Sequence, residues 1–331
     1  MRRLKVFGRE ASYHCMSRTV NGEHLFGDRE KEVLRRMIWQ VADFSGVEVI
    51  THSVMGNHFH VLIRVPEARE VSDAELLRRY RCLYPQPTKH QQASIRVLAA
   101  KLEAGGEEAE QIRTRLLKRM HDVSEFMKTL KQRFSTWFNA VHERFGPLWA
   151  DRFKSVLVEP ERYALETVAA YIDLNPVRAG LTEDPKDYRF CGYAEAVANS
   201  PPARAGIASM LGAPEARALE EYRMLLFGKG AAPTPSGSSI PEDVADGVLK
   251  SEQGGMPLPV RFGCKIRHLT EGMVLGSIEF VREQLEGVQE ARGRKRLPSV
   301  LPCMEPELEN LAVASGMRDK PGHKREKASA P

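Results

Sequence analysis

The run Met55-Gly56-Asn57-His58-Phe59-His60-Val61-Leu62-Ile63-Arg64-Val65 sets two histidines on either side of one phenylalanine at the head of an apolar stretch. Gly56-Asn57 is a turn signal, and the residues after it predict a β-strand. Alternate strand residues share a face, so His58 and His60 point one way and Phe59 the other, with the two histidine Cα atoms ~7 Å apart. Two imidazoles so placed can converge on one cation. A bare His-x-His fits two satisfied histidines at a strand end just as well, so the pattern needs a third group. Downstream, Tyr171-Ile172-Asp173-Leu174-Asn175-Pro176-Val177-Arg178-Ala179-Gly180 predicts a helix with Tyr171 and Asn175 one turn apart on one face. An amide oxygen beside a phenolic hydroxyl sets a potential metal ligand next to a potential nucleophile.

At these residues the sequence resembles the single-tyrosine HUH transposases, most closely their REP-associated tyrosine transposase branch and its IS200-like relatives. The resemblance runs from Tyr13 to about Ala196, with both motifs in the family's order. It implies that His58, His60 and the side-chain oxygen of Asn175 bind Mg²⁺ or Mn²⁺, and that Tyr171 attacks DNA. The metal would act as a Lewis acid on the scissile phosphate, and two imidazoles suit Mn²⁺ better than Mg²⁺. Attack by Tyr171 would leave a 5′-phosphotyrosine and a free 3′-hydroxyl, a bond that stores the energy for rejoining without ATP. A tyrosine of pKa about 10 needs positive charge or a base to assist it, and no residue in the sequence identifies itself as that base. The implied substrate is single-stranded or hairpin DNA. The resemblance leaves both a monomer and a homodimer open.

Other residues compete for roles. Tyr163 lies on the same predicted helix, but eight residues rotate it about 80° from Tyr171 and it sits about 18 Å along the axis from Asn175. His14 and His52 fall on strands and are read as structural. Arg18, Lys128, Lys131, Arg152, Lys154 and Arg178 are candidate phosphate contacts, with Arg152 and Lys154 expected on one strand face. Trp137, Phe138 and Trp149 could stack bases, but their spacing fits a core. Pro176 disfavours helical geometry at Asn175, which predicts a kink there.

The elements that must position these groups follow in order. Ser12 to Thr19 predicts a first strand, and Asp28 is expected to cap a helix to about Ser45 with Val33, Leu34, Met37, Ile38, Val41 and Phe44 on its apolar stripe. Val47 to Val54 is the second strand and the histidine run the third. Residues from Pro66 to about Val123 read as a mobile helical insertion, with helices at Asp73–Arg81 and Gln92–Met120 interrupted by Pro85-Gln86-Pro87 and Gly105-Gly106. A core helix from Ser124 to about Arg144 carries Lys128, Lys131 and Arg133 away from its apolar face. Leu148 to Val158 is expected as a fourth strand, and Pro160-Glu161 opens the tyrosine helix. The fold class is therefore α+β: a ferredoxin-like βαββαβ antiparallel sheet with helices on one face, an additional tyrosine-bearing helix, a helical insertion and a C-terminal extension.

The domain reading is a catalytic domain over 1–198 with its insertion at about 67–123, then a helical continuation over 199–227 that includes a helix from Pro214 to Leu226. A Gly/Ala/Pro/Ser-rich linker at 228–241 leads to a small helical region at 242–316, and a disordered tail follows at 317–331. In that helical region Val260 to Gln289 predicts two short helices with Ser277 capping the second, and the basic run Arg292–Arg296 suggests DNA binding.

With 331 residues, 42% hydrophobic and 28% charged, the chain can bury a sizeable core. No stretch has the roughly 18 apolar residues of a membrane span, so no membrane partner and a cytoplasmic location are expected. Five dispersed cysteines without a Cys-x-x-Cys argue for free thiols and against structural zinc. A net charge of +5 permits a polyanionic partner. Against the transposase stand a domesticated nucleic-acid-binding protein that keeps the scaffold without cleavage and a histidine-triad hydrolase. The latter needs a further alternate histidine where Leu62 stands. A replication initiator or relaxase would need larger accessory domains.

Overall fold

The computed structural model describes residues 4–230, 273–292, 299–302 and 311–315. At its centre β1 (Ala11–Arg18) runs antiparallel between β3 (His58–Val65) and β4 (Lys154–Val158), and β2 (Glu48–Val54) runs antiparallel outside β3. These four strands and their connections reproduce the expected βαββαβ order.

Strand alternation gives the sheet two different faces. On one, Phe59, Val61 and Ile63 lie opposite Ser17, Cys15 and Tyr13. Helix α1 (Asp28–Ser45) and helix α5 (Val123–Val141) cover this face, and Phe59 reaches Trp149 at a centroid distance of 5.6 Å, while the Trp149 ring meets Phe26 and Phe134 at 5.8 Å each. Gly27, rather than Asp28, stands at the N-cap of α1, its amide donating to Glu30 Oε2 at 2.9 Å. Gly46 closes the helix at φ 64°, the left-handed region that glycine enters without penalty.

The insertion folds as α2 (Asp73–Cys82), α3 (Lys89–Ala104) and α4 (Gly106–Leu117). Both Arg78 Nη atoms bind the Asp43 carboxylate at 2.7 and 3.0 Å, docking α2 on α1, and Arg113 bridges α4 to Asp73.

The opposite face carries α6 (Arg162–Asp173), α8 (Gly192–Val197) and α9 (Pro201–Leu211), with α10 (Glu215–Gly230) behind them. The sheet is thus covered on both faces, not one, because the tyrosine-bearing helix does not travel alone. The outer edge of β2 is also occupied. Val54 N donates to Phe190 O at 2.9 Å and Ser53 bridges to Cys191, so the end of that edge is already paired.

The described C-terminal residues add strands to a region expected to be helical. β5 (Val274–Gly276) adds parallel to β4, and β7 (Ala312–Ser315) and β6 (Ser299–Pro302) continue the sheet in the order β2-β3-β1-β4-β5-β7-β6. Of the two short helices expected over Val260 to Gln289, the second corresponds to α11 (Ile278–Arg292), and the span before residue 273 lies outside the described residues. Ser277 does cap it, accepting from Phe280 N at 3.1 Å. Residues 228–230, expected to begin the linker, instead close helix α10, and the rest of the linker from 231, the basic run beyond Arg292, the tail and two of the five cysteines lie outside the described residues. Cys15, Cys82 and Cys191 are free thiols. No described helix is long and apolar enough to cross a membrane.

Candidate active site

The antiparallel register sets Arg18 opposite His58 and Met16 opposite His60, with His14 opposite Leu62, so these side chains share the face that α6 covers. His58 is half-buried and His60 fully buried. Asn57 sits in the turn that starts the strand. Its Nδ2 donates to Gly22 O at 2.8 Å, which leaves Oδ1 against His58 Nδ1 at 2.6 Å. His60 Nδ1 lies 2.9 Å from His14 Nε2. Burial, helped by the Arg18 and His24 charges, pulls the His58 pKa down to about 4. Burial and the neighbouring histidines hold His60 well below the ordinary value. Both imidazoles are therefore neutral near pH 7, the form that binds a metal.

The tyrosine arrives from α6. Its ring meets His60 edge-on at a centroid distance of 5.7 Å and His14 at 6.0 Å, within one chain. Asp173, fully buried two residues on, pins the helix end: its carboxylate accepts from Thr51 Oγ1 at 2.8 Å, Tyr222 OH at 2.6 Å and Tyr193 N at 3.0 Å. That one group ties α6 to β2, α8 and α10. α6 stops at Asp173, and a one-turn helix α7 (Asn175–Arg178) restarts beyond Leu174. The break falls where Pro176 predicted a kink.

Asn175 Nδ2 donates back to Tyr171 O at 3.0 Å, and Arg178 Nη1 donates to the same carbonyl at 3.0 Å. The Arg178 guanidinium lies 5.2 Å from the Tyr171 ring centroid. Burial raises the Tyr171 pKa, while Arg178, the Asn175 amide and Arg18 pull against it. Burial also draws the Arg178 pKa down to about 10, which leaves it cationic at neutral pH.

The structure sorts the candidate phosphate contacts. Lys131 is buried, donating to Asp151 O at 2.7 Å and lying over Trp149, and so is no phosphate contact. Lys128, paired with Glu125 at 3.2 Å, sits on α5, across the sheet from Tyr171. Arg152 precedes β4 and shares no strand face with Lys154, because β4 begins only at Lys154. Lys154 pairs with Met16, itself opposite His60, and so lies on the tyrosine side, as does exposed Arg18. Arg178 is packed on Tyr171 and is not a solvated charge. Trp137, Phe138 and Trp149 are core or packed against it, as expected. His52 is buried beside Trp39 and Glu195 on the other face, a structural residue.

His14, expected as a structural residue, is buried against His60 and Tyr171. On its strand it differs in no way from a core histidine, and only the pairing of β1 with β3 brings it to His60. Among the described residues no group of three His, Cys, Asp or Glu side chains converges as a metal site. The set available to a cation is two imidazoles and an amide. Among the described residues His58 Nε2, His60 Nε2 and Asn175 Oδ1 make no hydrogen bond, while His58 Nδ1, His60 Nδ1 and Asn175 Nδ2 are all engaged. That donor set fits a divalent cation with further positions left for substrate and water.

Comparison with known proteins agrees with the strand motif. Residues 9–77, which contain β1 through β3 with both histidines and end before Tyr171, match the family model described as transposase IS200 like. A solved structure described as that of a REP-associated tyrosine transposase bound to a REP hairpin is similar at a TM-score of 0.34 and 15% identity, over 61% of this chain and 88% of the other. No curated protein matches the sequence. Over residues 9–77, which carry the paired histidines, the chain is similar to the IS200-like transposase family.

Proposed function

We propose that this protein is a transposase, a metal-dependent endonuclease and strand transferase on single-stranded DNA of the REP-associated type, with hairpin-flanked sites as substrate. The observation that carries the reading is the edge-on meeting of His60 and Tyr171 at 5.7 Å, which puts a nucleophile beside a pair of neutral imidazoles. His58 and His60 through Nε2, with Asn175 through Oδ1, would hold Mg²⁺ or Mn²⁺. When bound, the cation neutralises charge on the non-bridging phosphate oxygens.

The chain's own residues do the rest. Tyr171 Oη attacks phosphorus, the P–O3′ bond breaks, and the 3′-oxygen leaves as a hydroxyl once protonated, giving a 5′-phosphotyrosine. Because burial keeps the phenol protonated, its proton passes to solvent water as the new bond forms, and the departing 3′-oxygen takes one up from solvent in turn. The guanidinium groups of Arg178 and Arg18 favour the charge that develops on Oη. Asp173 holds α6 in register with β2, so that Oη does not drift. Arg18 and Lys154, on the same side of the sheet, are placed to contact backbone phosphates. Phe145 in the α5–β4 loop is 96% exposed, and that loop is bonded to the end of β1 through Val20 N to Leu148 O and Ala150 N to Arg18 O, so a base could stack there.

The test is incubation of the protein with labelled hairpin oligonucleotides and Mn²⁺. A covalent protein–DNA adduct is expected from wild type and none from Tyr171→Phe. An adduct that survives that substitution would reject the role given to Tyr171. Hairpin binding with no cutting under any divalent metal would favour a domesticated binding protein instead.

A further inference from the structure

Each site histidine has one ring nitrogen already committed, and by a different partner. For His58 the partner is Asn57, whose amide orientation is not a free choice. Gly22 O can only accept, so the group facing it at 2.8 Å is Nδ2, and the group facing His58 Nδ1 at 2.6 Å is the carbonyl oxygen Oδ1. An amide oxygen only accepts as well. His58 Nδ1 therefore carries the proton, and its lone pair resides on Nε2.

For His60 the partner is His14, and the contact between Nδ1 and Nε2 at 2.9 Å is satisfied with the proton on either atom. A cation on His60 Nε2 removes the ambiguity. The lone pair is then used, the proton must sit on Nδ1, and His14 Nε2 accepts it. Asn57 belongs to the turn that opens β3, and His14 to the neighbouring strand, so both partners are held by backbone pairing and not by flexible surface.

We infer that Asn57 and His14 are positioning residues that hold His58 and His60 as Nδ1–H tautomers, turning both Nε2 atoms toward one divalent cation. The inference rests on the metal-site reading above and deepens it. Outer partners of this kind fix ring orientation and raise the basicity of the ligating nitrogen. Their loss ordinarily weakens metal binding by about 10 to 100-fold.

Mn²⁺ binding to the full chain, followed by electron paramagnetic resonance of the free ion, is the first arm. Asn57→Leu and His14→Phe, which remove the acceptors, are each expected to weaken binding by about 10 to 100-fold. Asn57→Asp and His14→Gln, which keep an acceptor, are expected to recover most of it. Equal affinity in wild type and His60→Ala would overturn the metal-site reading and this inference with it. A site present in wild type but indifferent to Asn57→Leu and His14→Phe would overturn the inference alone.

The second arm needs no variant, and for His58 no metal. Two-bond ¹⁵N–¹H spectra of the histidine-labelled wild type should show a protonated Nδ1 and an unprotonated Nε2 for His58. Addition of a diamagnetic divalent cation, Mg²⁺, should leave His60 in the same form. A protonated Nε2 on His58 in the metal-free chain, or on His60 in the loaded one, would overturn the assignment.

Discussion

His60 and Tyr171 meet ring edge to ring face, 5.7 Å between centroids, although the helical insertion, α5 and β4 all intervene between them in the chain. The contact is made by elements on one side of the sheet only. Everything chemical in the reading follows from that side: the neutral imidazoles, the back-bonded Asn175 amide, and the Arg178 guanidinium over the phenol.

Arg178 is predicted to act on the rate of adduct formation. It is the strongest charge drawing the Tyr171 pKa down against burial, and it also grips the Tyr171 carbonyl. Arg178→Met should slow covalent adduct formation by about 10²-fold or more, the usual cost of removing one preorganised charge-stabilising donor. Single-turnover measurements on a hairpin oligonucleotide check it. An unchanged rate would remove Arg178 from the chemistry.

The two histidines predict an acid window. In the unfolded chain His58 titrates at its ordinary 6.5, and in the folded protein at about 4. Its folded pKa is depressed, so its contribution to stability is present above pH 6.5 and is lost as pH falls toward 4. The full contribution is about 3 kcal/mol by linkage, and His60 acts in the same direction. The paired carboxylates Glu32 and Glu75, held near 2, lose theirs only below their ordinary 4.5. Urea midpoints should therefore fall between pH 6.5 and 4.5 in wild type, and less steeply in His58→Gln. Parallel curves for the two proteins would refute the assignment.

Asp173 is predicted to be the anchor of the tyrosine helix. Asp173→Ala leaves Thr51 Oγ1, Tyr222 OH and Tyr193 N without their acceptor, at a cost of about 3 kcal/mol or more. Asp173→Asn keeps one acceptor oxygen but turns an amide NH₂ toward a donor, and should fall between. Hydrogen exchange over α6 and chemical denaturation report both effects. Exchange in α6 that stays as slow as in wild type would mean the helix is held by packing alone.

Gly206 in α9 should tolerate no side chain. A Cβ there would meet Ile50 O at 2.7 Å, and that atom belongs to strand backbone that cannot yield cheaply. Gly206→Ala is expected to destabilise by about 3 kcal/mol through overpacking. A melting temperature within a degree of wild type would show that α9 can lift from β2 without loss.

The strand and helix periods of this sequence were enough to determine the βαββαβ core, because each element carries its own alternation or its own apolar stripe. The His-x-His parity and the one-turn spacing of Tyr171 and Asn175 needed nothing beyond local geometry either, and Pro176 marked the break between α6 and α7. What local geometry cannot supply is partnership across the sheet. His14 met His60 only through the register of β1 on β3, and Lys131 ceased to be a candidate only when its amine found Asp151 O and the Trp149 ring. The C-terminal strands of three and four residues are too short to show a period, and they exist because β4 offered an edge to pair with. Whether the tyrosine faces the histidines or turns away is likewise a tertiary decision, taken by Asp173 and the helices behind it, since a buried carboxylate needs donors that no single segment contains.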